Sequence, residues 1–326
     1  MTSRYINRRS ALLGLAAAPA SMSLATRAWA QKAYPSSPVE VVVPFSPGGA
    51  VDVTGRLVAR ALSQALSAEF VVINRPGANS NIGNLAVVRA RPDGQTLLVS
   101  SIGLAANPAL YDNLGYDPLT DLAPISLISN APVGLFVTQS LPVSNLQEFI
   151  AYLKANPNKL NYASYGLGSS PHLAAELFQW TTKTSMVHVP FKGNGPATTA
   201  TVSNTTQVIF CSTIAALPFV QAGNMKGIAF ADENRSEQLP DLVTFKEAGL
   251  DFSVGTFFGL LAPAKTPPDI IEALSKAIRG SLNDTKLQEQ MRRQGAVVVG
   301  STPDEFAAFL KSETKRLAEV IRSTKS

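Results

Sequence analysis

One unit recurs along the chain: a short apolar run, a loop of small residues, then a segment with apolar side chains at helical spacing. Val39 to Phe45 reads as a strand and Ser46-Pro47-Gly48-Gly49-Ala50 as its loop. The helix after it sets Leu57, Val58, Ala61, Leu62 and Ala65 on one face. Val71 to Ile73 and Thr96 to Ser100 repeat the strand signal around a helix expected at Asn81 to Ala90. A second series begins after Ser129. Strands are expected at Leu160 to Ala163, Met186 to Val189 and Gln207 to Phe210, with loops Ser164 to Pro171, Pro190 to Pro196 and Cys211-Ser212-Thr213 behind them. Parallel strands need crossover helices, so this alternation predicts an α/β fold with a mainly parallel sheet.

Helix starts are marked by their chemistry. Ser144 with Gln147 predicts a capping box for a helix through Lys154, and Thr302-Pro303-Asp304-Glu305 predicts an N-cap with proline at N1 and glutamate at N3. That last helix is expected to bury Phe306, Phe309, Leu310, Leu317 and Ile321. Val254 to Ala262 is an uncharged run of strand character, followed by a helix starting at Thr266-Pro267-Pro268-Asp269.

The first thirty residues read as an export signal. Arg4, Arg8 and Arg9 precede an uncharged stretch from Ala11 to Ala25, and Ala28-Trp29-Ala30 offers a small-x-small cleavage point before Gln31. Arg8-Arg9 resembles a twin-arginine signal, with Sec export as the alternative. The apolar run is shorter than the ~20 residues a membrane span needs. Four of the 28 basic residues lie in this segment, which leaves 24 against 23 acidic ones. The basicity thus belongs to the signal, and no nucleic-acid partner is expected. A single cysteine excludes an intramolecular disulfide, and two histidines give no metal-ligand spacing. The 296 residues beyond the signal exceed the size at which one core tends to split, roughly 250.

The loops between strand ends and helix starts carry the functional case. In open α/β sheets ligands bind beyond the carboxyl ends of the strands, and a helix start offers unpaired N–H groups and about half a positive charge to an anion. Glycines in these loops let the backbone approach a ligand, and Ser46, Ser100, Ser101, Ser164, Ser169 and Ser170 add hydroxyls. An enzyme finds less support. No Gly-x-Ser-x-Gly elbow surrounds Ser169 or Ser170, and no Gly-x-Gly-x-x-Gly follows a strand, so a serine hydrolase is the weaker alternative. Neither a catalytic residue nor a cofactor or metal is expected.

The loop sequences also resemble a known family. "VVVPFSPGGAVD" (41–52), "NRPGANSNIG" (74–83), Pro92-Asp93-Gly94, Asn107-Pro108, "LNYASYGLGSSPHLAAELF" (160–178), "HVPFKGNGPA" (188–197) and "FFGLLAPAKTPP" (257–268) are similar, in order, to the substrate-binding proteins of tripartite tricarboxylate transporters, the Bug or TctC-like family. The resemblance implies a type II periplasmic-binding (Venus-flytrap) fold of two α/β lobes joined by a hinge. One lobe would comprise residues 31–132 and 253–326, the other 133–252. It implies a periplasmic receptor that captures a small carboxylate and delivers it to membrane transporter subunits; signalling to a sensor kinase is the sibling reading, and a monomer is the default expectation.

Carried over by position, the first lobe would offer Phe45, Ser46, Pro47, Gly48, Gly49, Ala50, Ser100 and Ser101. The second would offer Ser164, Gly166, Gly168, Ser169, Ser170, His172, Phe191, Lys192 and Gly193. Asp52 either fixes a ligand water or complements its helix dipole. His172 and Lys192 either meet the anion or serve structure and solvent, and Phe45 and Phe191 either sandwich a ligand or belong to the core. Leu167 replaces a frequent asparagine. Cys211 stands where the family carries an acidic residue, which points to a ligand without an ammonium group.

Overall fold

The computed structural model describes residues 34–325 apart from 233, 237–238, 253 and 294–295. The expected export signal, with its arginines and the cleavage point at Ala30, lies outside the described residues. The first series is β1 (Val39–Val43), α1 (Ala50–Leu66), β2 (Phe70–Asn74), α2 (Asn81–Val88), β3 (Thr96–Ser100) and α3 (Ile102–Leu110). A long strand, β4 (Leu122–Thr138), leads to α4 (Leu146–Ala155), β5 (Asn161–Ser164), α5 (Ser170–Thr182), β6 (Val187–Pro190), α6 (Asn194–Val202), β7 (Val208–Ser212), α7 (Thr213–Gln221) and β8 (Met225–Phe230). The chain closes with β9 (Gly255–Pro263), α8 (Pro268–Leu282), α9 (Thr285–Arg293), β10 (Val297–Val298) and α10 (Pro303–Lys325).

β1 lies between β2 and β3, parallel to both, with Val41 opposite Val72 and Leu97. Val39, Val41, Val42 and Val43 are all buried, as expected of a parallel strand covered on both faces. β5 is likewise parallel to β6 and β7. The expectation of a mainly parallel sheet needs correction, because β9, on which the chain returns to the first lobe, pairs antiparallel with β3 and with β4, the strand that leaves it. Leu122 to Pro132 of β4 pairs antiparallel with β9, and Val133 to Thr138 of the same strand pairs antiparallel with β7 and β8. One strand runs out to the second lobe and its neighbour runs back, so the two must be antiparallel. The result is one mixed sheet in the order β2-β1-β3-β9-β4-β7-β5-β6, with β8 and β10 on β4.

Each lobe has its own core. Val42, Leu98, Ile102, Leu104, Phe257, Leu261, Phe306, Leu310, Leu317 and Ile321 cluster in the first. Phe149, Phe178, Phe210, Phe245 and Phe252 dominate the second, with Phe245 and Phe252 ring centroids 4.6 Å apart. α10 seats on β9 because Gly259 has no side chain: a Cβ there would overlap the Phe306 ring. Leu173 of α5 packs into the first lobe's cluster, tying the lobes together.

The α10 start forms the expected reciprocal cap, Thr302 Oγ1 accepting from Glu305 N–H and Glu305 accepting from Thr302 N–H at 2.8 Å. At α4 the cap is displaced by one residue. Asn145, not Ser144, is the N-cap, accepting from Glu148 N–H at 2.9 Å, while Glu148 accepts from Ser144 N–H at 2.7 Å. β7 also runs two residues further than expected, so Cys211 and Ser212 belong to the strand.

Candidate functional site

Five helices begin at one cavity between the lobes. Gly49, Ala50 and Val51 of α1 and Ser101, Ile102 and Gly103 of α3 line it from the first lobe; Ser169 and Ser170 of α5, Asn194 of α6 and Ser212 before α7 line it from the second. None of these helix starts is capped by its own N-cap side chain, whereas α4 and α10 are. Serine at an N-cap ordinarily turns its hydroxyl onto its helix. Ser101 and Ser212 do not, which leaves both the hydroxyl and the first-turn N–H groups for a guest. Phe45, Tyr165, Thr256 and Phe258 complete the wall. Among the described residues no acidic or basic side chain lines the cavity. Its field therefore comes from helix ends, about half a positive charge each, and suits an anion.

The loop ahead of α1 is held from behind by Asp52. This carboxylate is 2% exposed and accepts from Gly48 N–H at 3.0 Å, Arg56 Nε at 3.0 Å and Asn74 Nδ2 at 2.9 Å. Asn74 Nδ2 also donates to the Phe45 carbonyl at 3.0 Å. Burial would raise the Asp52 pKa, but hydrogen bonds from Arg56, Gly48 and Asn74, with the Arg56 charge, hold it below the ordinary carboxylate value. Asp52 thus positions the loop and does not reach the cavity. Gly48, its N–H engaged by Asp52, and Pro47 are exposed and do not line the cavity.

The second lobe answers with two loops. Ser46 Oγ donates to the Lys192 carbonyl at 2.8 Å across the cleft, and Gly193 packs on Ser46. Tyr165 OH donates to Asn194 Oδ1 at 2.7 Å, linking the two second-lobe loops. Gly168, with φ of +78°, lies so close to the first lobe that a Cβ would overlap Leu110. In this closed arrangement the cavity holds about 30 Å³ of open space, against the ~10–15 Å³ one water needs.

Of the expected residues, Phe45, Ser46, Gly49, Ala50, Ser101, Ser169 and Ser170 come together at the cavity. Others lie around it. Ser100 is fully buried and donates to Asn84 Oδ1 at 3.2 Å; Ser164 Oγ accepts from Gly166 N–H at 3.0 Å and meets His188 Nε2 at 2.6 Å. Gly166 and Gly168 shape the loop edge, and His172 Nδ1 accepts from Gly168 N–H at 3.2 Å. Phe191 packs against the core, and the Lys192 side chain is exposed, only its carbonyl taking part.

Cys211 needs correction as a ligand contact. It is fully buried in β7 among Ala163, Ile209 and Ala215, and burial pushes its thiol pKa up. β7 ends two residues later than expected, which keeps Cys211 inside the strand, and Ser212 is the residue that lines the cavity. Tyr165, Asn194 and Phe258 sit inside the motifs but are not among the expected contacts, and Thr256, which arrives on β9 just ahead of a motif, carries no local signal. Among the described residues no group of three or more His, Cys, Asp or Glu could hold a metal ion, and no helix is long and apolar enough to cross a membrane.

This geometry has relatives. A family model for the tripartite tricarboxylate transporter family receptor matches residues 54–325. BugT of Bordetella pertussis is 34% identical over 322 residues, covering 98% of each chain. MatC from Rhodopseudomonas palustris, solved with bound malate, superposes with a TM-score of 0.85 at 31% identity, covering 88% of this chain and 100% of its own. The R. palustris protein Rpa4515, solved with adipate, does so with a TM-score of 0.87 at 31% identity, covering 90% and 98%. The matched family is one of transporter receptors rather than enzymes. A two-lobed α/β clamp with an anion-directed cavity, matched along most of its length, belongs to the tripartite tricarboxylate transporter receptor (TctC/Bug) family.

Proposed function

We propose that this protein is a periplasmic receptor that captures a small carboxylate between its lobes and delivers it to a transporter of the tripartite tricarboxylate type. The observation that carries this reading is the convergence of five uncapped helix starts on one cavity without a charged side chain. Residues 31–132 with 253–326 form one lobe and 133–252 the other. The hinge lies where β4 changes partners between Pro132 and Val133 and where β9 begins opposite it at Gly255. The lobes close on the ligand because it meets N–H groups of both only in the closed state. The malate and adipate held by structural relatives make dicarboxylates the first candidates. Among the described residues no acidic side chain lines the cavity to neutralise an ammonium group, so hydroxy and plain carboxylates are preferred to amino acids.

A thermal-shift panel tests this reading. Malate, succinate and adipate at about a hundred times their dissociation constants should raise Tm by roughly 4 °C, and aspartate by much less. A panel in which no carboxylate moves Tm overturns the reading. Deletion of the gene should abolish uptake of the bound carboxylate, and light scattering should give one chain per particle.

A further inference from the structure

The two histidines of the chain meet in the fold. His172 lies in the first turn of α5 and His188 in β6, with ring centroids 4.6 Å apart at 50°. Neither lines the cavity. Each instead holds one end of the loop between β5 and α5. His188 Nε2 is 2.6 Å from Ser164 Oγ, which accepts the Gly166 N–H at 3.0 Å. His172 Nδ1 accepts the Gly168 N–H at 3.2 Å. Between these anchors Ser169 Oγ accepts from Tyr165 N–H at 3.2 Å and donates to the Gly166 carbonyl at 2.6 Å. The same loop presents Tyr165, Ser169 and Ser170 to the cavity.

We propose that His172 and His188 form a positioning pair. They do not touch the ligand but fix the Ser164–Ser169 loop, and with it the direction of the N–H groups that open α5. The inference rests on the reading of this cavity as a carboxylate site and extends it to the layer behind the loop.

The polarity of the bonds carries the argument. A backbone N–H only donates, so His172 Nδ1 keeps its lone pair and the neutral ring carries its proton on Nε2. A proton on Nδ1 sets two donors face to face and removes that anchor. His188 tolerates either state. Neutral, its Nε2 accepts the Ser164 hydroxyl; protonated, it donates to Ser164 Oγ, whose own proton turns to the Gly166 carbonyl at 3.3 Å. His172 is therefore the sensitive member.

The titratable groups facing the pair are Tyr162 and Glu176. The Tyr162 ring stacks on His188 at 4.9 Å, and its hydroxyl donates to Glu176 Oε1 at 2.6 Å. Burial and the neighbouring His188 lower the His172 pKa to about 4; burial also lowers that of His188, with Glu176 pulling it partly back. The lock is thus intact at neutral pH and fails in acid.

Two variants test the pair. His172→Asn places an amide oxygen near the Nδ1 position and cannot titrate, whereas His172→Leu has no acceptor. With malate and adipate as probes in calorimetry at pH 7.5, the asparagine variant should bind within about threefold of wild type and the leucine variant roughly tenfold more weakly. Below about pH 5 the ligands titrate too, so His172→Asn is the reference, and wild-type affinity should fall more steeply than the variant's. A ligand-free readout runs in parallel: in NMR the Gly168 amide should follow the His172 ring titration in wild type and stay flat in His172→Asn. Wild-type affinity in His172→Leu, or a Gly168 amide indifferent to His172, overturns the proposal. If neither probe binds wild type, the carboxylate reading loses its support, while the Gly168 amide still decides whether the pair anchors the loop.

Discussion

Ser46 Oγ donates a hydrogen bond of 2.8 Å to the Lys192 carbonyl, joining the loop ahead of α1 to the loop ahead of α6 across the cleft. It forms between protein groups alone, so it biases the lobes towards closure before any ligand arrives. A bond of this kind contributes about 0.5–1.5 kcal/mol. Ser46→Ala should therefore populate the open form more and weaken carboxylate binding roughly two- to tenfold. Small-angle scattering of the ligand-free variant should give a larger radius of gyration than wild type, and calorimetry the affinity.

Gly168 combines a left-handed backbone, φ +78°, with close approach to Leu110. Gly168→Ala meets both obstacles and should destabilise by about 1–3 kcal/mol. Leu110→Ala opens space where the new methyl falls, so the double variant should lose less than the two single costs added. Urea unfolding of the four proteins measures the coupling, and strict additivity would remove the steric half of this account.

Acid should act in two windows. The folded-state pKa of His172 lies near 4, below the ordinary 6.5, so the unfolded chain binds its proton first and stability falls as pH drops from about 6.5 towards 4. The lowered pKa of Asp52 acts further down: its contribution is present above the unfolded carboxylate value of about 3.9 and is lost as pH falls through the folded one. Urea unfolding as a function of pH should show a shallower slope above pH 4 in His172→Asn and below it in Asp52→Asn.

Cys211 and Ser212 are neighbours with opposite expected phenotypes. Cys211 is fully buried and does not line the cavity, so Cys211→Ala should keep ligand affinity within about twofold and cost about 1 kcal/mol of stability. Ser212 lines the cavity without capping α7, so Ser212→Ala should leave stability nearly unchanged and weaken carboxylate binding severalfold. Paired denaturation and calorimetry measure both, and native Cys211 should react slowly with thiol reagents.

Much of the frame is legible locally. The β3 bounds match the Thr96–Ser100 run, since five residues buried mostly on both faces leave an unbroken apolar signature. The Thr302–Glu305 cap is legible for the same reason, because its bonds span three residues. β4 is not: Pro124, Ser126, Ser129, Asn130 and Pro132 break its pattern, and its seventeen residues form one strand through pairing with β9 and β7, with register shifts at Pro124/Ser126 and Leu127/Ser129. The Ser144 cap slipped one residue because asparagine and serine compete for the same role.

The sequence by itself determined the alternation of strand, small-residue loop and helix, and most of the helix starts able to meet an anion, since those depend on residues within a turn of one another. Only the tertiary structure decided which starts face a common cavity, that Ser212 rather than Cys211 lies at its wall, and that His172 and His188 meet behind it. Those facts turn on strand register: Cys211 stands opposite Gly134, seventy-odd residues earlier in the chain, and a shift of one position would exchange the inward and outward faces of β7.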